Sequence, residues 1–242
     1  MPEILYWEAI RDALAEEMRA NPKVLVLTCA GGLEHADPAT QALAQEFGAE
    51  RVRTAPVSAP AIAGAAAGAA ACGYRVVAAI RAAESLPLVL DQLAGQAGTE
   101  AVPVVLRVQS GAALEARAVH TPGMLVAAPA TPEDAKGLLR TALRAEEDPV
   151  LFLEDAQLYS TKGEVSAGDY AVPFGVATVR RAGTQVTVVT YGRMVGEALV
   201  ACERAAGDHG IDAELLDLRT LKPFDLAAAW TRCASWRVTG ER

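Results

Sequence analysis

Histidine and cysteine side chains, which can act as bases, nucleophiles or metal ligands, are few and widely spaced in this chain of 242 residues. The three histidines, His35, His120 and His209, are isolated in sequence, and none lies at a metal-ligand spacing. The four cysteines include no C-x-x-C pair; they are Cys29, Cys72, Cys202 and Cys233. We therefore expect surface histidines, the reduced thiols of a cytoplasmic protein, and no metal held by this chain alone.

Three motifs that would indicate a known chemistry are absent from the sequence. It contains no G-x-x-x-x-G-K followed by serine or threonine and no G-x-G-x-x-G, so neither a P-loop nor a dinucleotide-binding fingerprint is present. It also lacks G-x-S-x-G, the turn that presents the nucleophilic serine of many hydrolases. Any catalytic chemistry must therefore come from residues that are distant in sequence.

The composition indicates a soluble protein that can bury a core. Hydrophobic residues make up 52% of the chain, and the formal net charge is −8 with a pI near 5.0. Charges of both signs are scattered and no run of lysine or arginine occurs, which argues against the basic face that nucleic acid requires. The acidic, amphipathic amino terminus, MPEILYWEAIRDALAEEM, is unlike a signal peptide. We expect no nucleic-acid partner and a cytoplasmic location.

One stretch of small residues stands apart from the rest of the sequence. Residues Arg53–Val77 include ten alanines and three glycines, and no charged residue occurs between Arg53 and Arg75. The stretch contains Pro56 and Pro60 and lacks aromatic belts, so we do not interpret it as a membrane span. Small side chains let two backbones approach closely, which predicts a helix packed tightly against a neighbour.

The hydrophobic pattern alternates between strands and helices. Predicted helices are Ile4–Arg19, a segment from Asp37-Pro38 to Gly48, a segment that begins at Pro60, Leu86–Gln96, Thr131 to about Glu146, and Met194–Asp208. Predicted strands are Lys23–Thr28, Tyr74–Ile80, Val102–Val108, Met124–Pro129, Pro149–Glu154, Gln185–Gly192 and Asp212–Leu221. Such alternation predicts an α/β fold with a mostly parallel sheet and helices on both faces.

We predict two domains of unequal size. Residues 1–157 hold most of the alternating elements, and glycines and prolines mark 158–182 as a linker. Residues 183–242 contain one β-α-β unit and a short remainder, which is too little for a complete three-layer domain.

Several segments together resemble the beta subunit of thiamine-diphosphate-dependent 2-oxoacid dehydrogenases, within the transketolase-like superfamily. Tyr6–Leu14 is similar to the opening helix of that family, and Leu90–Gln96 to its LDQ-x-x-x-Q helix. Pro122–Leu139 resembles its long PG…TP…DAKGLL element. Thr187–Val195 and Leu216–Pro223 are similar to the start of its carboxyl-terminal domain. The resemblance covers nearly the whole chain, although the final residues, AWTRCASWRVTGER, depart from the family continuation.

The resemblance implies a cofactor, a partner subunit and a substrate class. In this family an alpha-type subunit holds the diphosphate and magnesium, and the beta subunit supplies the half that binds the pyrimidine ring. The present sequence has no G-D-G followed by an asparagine pair, so the resemblance implies that a partner holds the thiamine diphosphate and magnesium. It further implies a 2-oxoacid or ketose as the small-molecule substrate, and self-association is possible through the carboxyl-terminal domain.

The residue that would exchange a proton with the pyrimidine is missing from the matching position. The family uses a glutamate at the end of a D-T-P turn, and the corresponding stretch here runs from Thr54 to Ala59. Ala59 occupies the position of the glutamate and Ser58 precedes it. A methyl group can neither accept nor return a proton, so we expect no acid from this chain at that step.

Other positions that face the cofactor in the family also differ. Cys29 lies in Thr28-Cys29-Ala30, where the family has G-E-D or G-E-E, and Ala82 replaces an aromatic residue near the pyrimidine. The loop that carries the family's active-site histidine is skipped, and His120 matches a structural element instead. Glu84 is the one nearby carboxylate that could substitute for the missing glutamate. Cys29, Ser58, Ala59 and Ala82 are the predicted cofactor-facing positions.

Three functions are compatible with these observations. The chain is a working subunit of a heteromeric thiamine-diphosphate enzyme, or a catalytically silent paralogue that stabilises or regulates an alpha-type partner. A third alternative is an α/β protein that uses the vacated cleft for another small ligand, with Cys29 exposed inside it.

Overall fold

The computed structural model describes residues 2–28, 31–80, 85–94, 102–110, 115–145 and 148–235. Three of the predicted site positions, Cys29, Ala82 and Glu84, lie outside the described residues. The helices are α1 Tyr6–Ala20, α2 Pro38–Arg51, α3 Ala59–Ala71, α4 Leu86–Ala94, α5 Glu115–His120, α6 Pro132–Arg144, α7 Met194–His209 and α8 Leu226–Ser235. The strands are β1 Glu3–Leu5, β2 Val24–Thr28, β3 Val52–Thr54, β4 Arg75–Ile80, β5 Val104–Ser110, β6 Leu125–Ala127, β7 Val150–Asp155, β8 Lys162–Glu164, β9 Thr178–Arg181, β10 Val186–Thr190, β11 Ala213–Asp217 and β12 Thr220–Lys222.

A seven-stranded sheet forms the centre of the fold, in the order β12-β6-β7-β5-β4-β2-β3. All its neighbours pair in parallel except β12, which pairs antiparallel with β6 at one edge. A smaller sheet has the order β10-β11-β9, and β1 pairs with β8. This arrangement confirms the predicted α/β fold with a mostly parallel sheet.

Both faces of the large sheet are covered, because alternate residues of its strands point in opposite directions. Val76, Ala78 and Ile80 of β4 pack with α3 and α4 on one face, whereas Val77 packs with α1, α2 and α6 on the other. The result is three layers, with the sheet between two helical layers.

Local sequence signals define the starts of α2 and α6. The side chain of Asp37 accepts a hydrogen bond from the backbone N–H of Thr40 and caps α2, and Thr131 caps α6 through the N–H of Asp134. Each cap is followed by a proline in the first helical turn, where no N–H is needed. Gly48 has a φ of 71° and interrupts α2, near the predicted end of that helix.

The carboxyl-terminal part of the chain differs in detail from the sequence expectation. The segment 158–182, predicted as a linker, contains β8 and also β9, which pairs with β11. The single strand predicted over Asp212–Leu221 is two strands, because Arg219 adopts a φ of 59° between β11 and β12. Since β12 then joins the large sheet, residues beyond 183 contribute to both sheets, and the division into two domains stays a prediction.

Ion pairs join the small sheet to α6, which packs on the large sheet. Asp217 of β11 and Asp134 at the start of α6 both contact the guanidinium of Arg180 in β9, and Arg219 lies 3.4 Å from Asp134. Burial raises the pKa of Asp217 above its ordinary value, although Arg180 opposes the change. Among the described residues, no helix combines the length and apolar composition that crossing a bilayer would need.

Candidate functional site

The predicted site lies where β2 and β3 end, at one edge of the large sheet. Helix α3 begins there, a few residues after β3. The backbone N–H of Ala55 donates to the carbonyl of Thr28 at 2.9 Å, which extends the pairing of the two strands by one hydrogen bond. Ser58 precedes α3 as its N-cap residue, but its side chain makes no capping hydrogen bond and is exposed. Val57 is 73% exposed, so this turn presents an apolar side chain and a hydroxyl to solvent.

The side chain of Ala59 points into the protein rather than toward solvent. It is 3% exposed and belongs to the hydrophobic cluster that contains Ile62 and Ala63 of the same helix. The position at which the resemblance implied a proton-exchanging group is therefore a buried methyl group. The two predicted positions that the structure describes, Ser58 and Ala59, are adjacent but face opposite surroundings.

Helix α3 explains the run of small residues. Ala63, Ala66, Ala67 and Ala70 lie in the core, and α3 packs along α4, where a Cβ on Gly64 would lie 3.5 Å from Oε1 of Gln92. The small side chains thus allow α3 to lie close to the sheet and to α4.

A buried network of charged groups lies on the opposite face of the sheet, under α1 and α2. Nε of Arg107 lies 2.6 Å from Oε1 of Glu154, and Nη2 lies 2.9 Å from Oε2. The same Nη2 donates to Oδ1 of Asp37 at 3.2 Å. Because two carboxylates face one guanidinium, these three groups carry a formal charge of −1 in the interior of the protein.

Hydrogen bonds within the network stabilise the charged forms. Burial alone would raise the pKa of Asp37, but Arg107 and the hydroxyl and N–H of Thr40 outweigh it and hold that pKa below its ordinary value. Burial would lower the pKa of Arg107, yet Asp37 and Glu154 raise it well above its ordinary value. Both groups are therefore charged at neutral pH, and neither is available for proton exchange.

Two tyrosines close the network. The hydroxyl of Tyr159 donates to Oε2 of Glu154, and its ring stacks on that of Tyr6 with 6.1 Å between centroids. Burial and the charge of Glu154 raise the pKa of both hydroxyls. A cavity of only about 10 Å³ remains beside Gln109 and Ile80, which is space for one water molecule.

This network was not predicted from the sequence. Arg107 lies in an apolar strand, and its partners Glu154 and Asp37 are 47 and 70 residues away in sequence. Asp37 could be identified only as a helix cap. A charged residue inside an otherwise continuous apolar strand was the available signal, because such a residue needs a buried partner.

The remaining candidate side chains do not converge on a site. His35, His120 and His209 are all exposed, as expected. Cys72 is an exposed free thiol and Cys202 a buried one. Within the described ranges, no group of three or more histidine, cysteine, aspartate or glutamate side chains could hold a metal ion.

Comparison with known proteins assigns this fold to a class. Residues 104–162 match the transketolase pyrimidine-binding domain, and residues 175–235 match the transketolase carboxyl-terminal domain. A split-gene transketolase, solved as an inactive beta4 tetramer, superposes with a TM-score of 0.80 at 24% identity, over 96% of this chain and 76% of that one. The transketolase from Leishmania mexicana gives a TM-score of 0.73 at 17% identity, over 97% of this chain and 37% of that one. The chain thus has a transketolase-like fold.

Relatives of higher identity define the family more narrowly. The beta subunit of acetoin:2,6-dichlorophenolindophenol oxidoreductase from Cupriavidus necator is 39% identical, over 90% of this chain and 72% of the relative. Two proteins from Bacillus subtilis follow. The 2-oxoisovalerate dehydrogenase subunit beta is 38% identical, over 94% of this chain and 75% of its own length. The pyruvate dehydrogenase E1 component subunit beta is 36% identical, over 93% of this chain and 75% of its own length. The chain belongs to the family of E1 beta subunits of 2-oxoacid and acetoin dehydrogenases.

Proposed function

We propose that the chain is the beta-type subunit of a heteromeric, cytoplasmic thiamine-diphosphate enzyme that acts on 2-oxoacids or ketoses, and that its own catalytic glutamate and histidine positions are lost. The relatives support the first part, since they are named as beta subunits of pyruvate, 2-oxoisovalerate and acetoin enzymes. In this proposal an alpha-type subunit holds most of the cofactor, including the diphosphate and magnesium.

The residues at the start of α3 fit only part of the role implied for a pyrimidine-binding surface. Val57 and Ser58 are exposed and could line a ring. Ala59 cannot exchange a proton, and its burial leaves no space for a longer side chain without repacking. The described residues therefore do not fit the acid–base function, and we derive no catalytic step from them.

The burial of Ala59 is the observation that carries this proposal. A side chain at 3% exposure inside an apolar cluster contributes to packing and supplies no proton-exchanging group. Any acid or base must then come from the alpha-type subunit or from Glu84. The chain's own contribution is then structural: the Arg107 network joins β5, β7 and the start of α2 on one face of the sheet, and α3 packs closely on the other.

A calorimetric titration tests the proposal. Thiamine diphosphate with magnesium is added to this chain alone and to its complex with the cognate alpha-type subunit, and turnover of pyruvate and branched-chain 2-oxoacids is followed in parallel. We expect binding and turnover in the complex only. A well-formed complex that binds no cofactor would overturn the proposal.

The second candidate is a catalytically silent paralogue that stabilises or regulates an alpha-type partner. It is favoured by two buried carboxylates, Asp37 at the start of α2 and Glu154 on β7, because both are bound by Arg107 and neither is available for proton exchange. For this function we expect a stable complex without cofactor binding. Failure to co-purify with any alpha-type subunit would contradict both candidates.

An Ala59→Glu variant separates the two candidates further. If the protein repacks so that the new carboxylate reaches the cofactor, cofactor affinity in the complex rises. Ala61→Glu is the matched control, since Ala61 is exposed two residues away on the same helix. No change with either variant indicates a closed site and supports the silent paralogue.

A further inference from the structure

A second cavity lies at the opposite end of α3 from Ala59. It has a volume of about 520 Å³ and is bounded by the start of β2, the end of α2, strand β3 and the end of α3. Its lining residues are Pro22, Leu25, Glu50, Arg51, Arg53, Ala69, Cys72 and Tyr74. Because α3 has 13 residues, this cavity is about 20 Å from the first turn of that helix.

The wall of the cavity is positively charged, in contrast to the chain as a whole. Arg51 and Arg53 have no carboxylate within ion-pair distance in the described part of the chain, and Glu50 is the only acid among the lining residues. Lys23 lies close by, with its Nζ 3.7 Å from where a Cβ on Gly73 would be. Three cations and one carboxylate here give a local excess of positive charge in a protein whose net charge is −8.

Backbone carbonyls hold the guanidinium of Arg51 in place and contact that of Arg53 once. Nε and Nη2 of Arg51 donate to the carbonyl of Val24 at 2.9 and 2.8 Å, and Nη2 also donates to the carbonyl of Met18 at 3.1 Å. Nε of Arg53 donates to the carbonyl of Glu50 at 3.2 Å, while its Nη atoms make no hydrogen bond within the described residues. Arg51 thus offers its Nη1 to an anion such as phosphate, and Arg53 offers both of its Nη atoms.

The rest of the wall is apolar and aromatic. Tyr74 is 41% exposed, so its ring is accessible, and Leu25 and Ala69 are part of the same wall. A volume of about 520 Å³ exceeds what an inorganic anion needs and lies within the usual range of small-molecule sites, about 300–1,000 Å³. The ligand that fits these features has a planar ring to stack on Tyr74 and phosphate groups for the arginines.

We propose that this cavity binds a nucleoside diphosphate. The phosphates contact Arg53 and Nη1 of Arg51, and the base stacks on Tyr74. The site is separate from the start of α3, and it does not depend on the proposed function. Since α3 connects the two regions, a ligand here would act on the packing of the helix that carries Ala59.

The exposed thiol of Cys72 provides a local measurement of binding. The full chain is treated with iodoacetamide, and the alkylation rate of the peptide that contains Cys72 is followed by mass spectrometry with ADP, pyrophosphate or adenosine present. We expect saturating ADP to slow alkylation about fivefold or more, pyrophosphate to protect less, and adenosine to protect least. An unchanged alkylation rate in millimolar ADP would overturn the proposal. Equal protection by pyrophosphate and ADP would show that the base does not stack on Tyr74, and the proposed nucleoside would be wrong.

Two variants test separately the contacts to the phosphates and the stacking of the base. Arg53→Ala should weaken ADP and pyrophosphate binding about tenfold, the loss expected for one charge-assisted contact. Tyr74→Ala should weaken ADP and leave pyrophosphate unchanged. Arg117→Ala is the matched control, because Arg117 is also exposed but lies on α5, outside this cavity. If the control weakens ADP as much as Arg53→Ala does, binding is non-specific and the proposal is wrong. Circular dichroism establishes that each variant is folded.

Discussion

Arg107 and Glu154 form a two-point ion pair between neighbouring strands, with Nε 2.6 Å from Oε1 and Nη2 2.9 Å from Oε2. Their side chains are only 2% and 1% exposed. The pair lies on β5 and β7, and Asp37 at the start of α2 contacts the same guanidinium. The interaction therefore fixes the position of α2 on the sheet as well as the register of two strands.

Replacing Arg107 by methionine should destabilise the protein strongly. The variant leaves the carboxylates of Asp37 and Glu154 buried without their cation, and removing one partner of a buried ion pair costs about 3–5 kcal/mol. The free energy of unfolding in urea at pH 7 measures this loss. The matched control is Arg19→Met, which breaks the exposed pair with Glu46 and should cost less than about 1 kcal/mol. Equal losses in the two variants would contradict the importance that we assign to the buried network.

Stability should depend on the charge of Asp37 in acid. The network lowers the folded-state pKa of this carboxyl below its unfolded value of about 3.9, so its contribution is complete above that pH and is lost as the pH falls through the folded-state pKa. The stability difference between the wild-type chain and Asp37→Asn should thus be constant from pH 7 to 5 and shrink toward pH 3. Urea unfolding of both chains at each pH measures this difference in stability. Asp208→Asn is the control for removing a carboxylate from an exposed position. A difference for Asp37→Asn that grows in acid would refute the prediction.

The alternation of strands and helices could be predicted because it depends on local patterns. Apolar runs such as Val150–Asp155 and capped helices such as Pro132–Arg144 contain their own signals. Strand β9, with the sequence TVRR, was missed because it is short and polar and becomes a strand only by pairing with β11.

The candidate site could be predicted only in part, for a similar reason. A resemblance could place Ala59 at a position of interest, but its burial depends on Ile62, Ala63 and the sheet beneath them. The Arg107 network depends on strand order, because β5 and β7 are neighbours although α5, β6 and α6 lie between them in the chain. Such contacts between distant segments are not visible in a single sequence.

Ala59→Glu should cost stability in a way that depends on pH. Burying an ionised carboxylate in an apolar cluster raises its pKa and destabilises the folded state, by about 2 kcal/mol or more at pH 7. A carboxyl pKa that is higher in the folded state makes the loss smaller as the pH falls through that value. Ala61→Glu, exposed in the same first turns of α3, is the control and should be near neutral. Thermal unfolding at pH 7 and pH 5 compares the two, and an equal effect of both variants would show that position 59 accepts a carboxylate without repacking.

Gly137 of α6 should not tolerate even a methyl group. A Cβ at this position would lie 2.5 Å from Cγ2 of Val172 and 2.9 Å from Cε2 of Tyr170, in the segment that crosses over the helix. We expect Gly137→Ala to destabilise the protein by about 1–3 kcal/mol, the usual cost of overpacking, despite the higher helix propensity of alanine. Gly196→Ala is the matched control, because Gly196 lies in α7 with nothing within 4 Å of the added Cβ, and it should stabilise by up to about 1 kcal/mol. Urea unfolding shows whether each substitution raises or lowers the free energy of unfolding. A more stable Gly137→Ala variant would mean that residues 170–172 do not pack on α6 in solution.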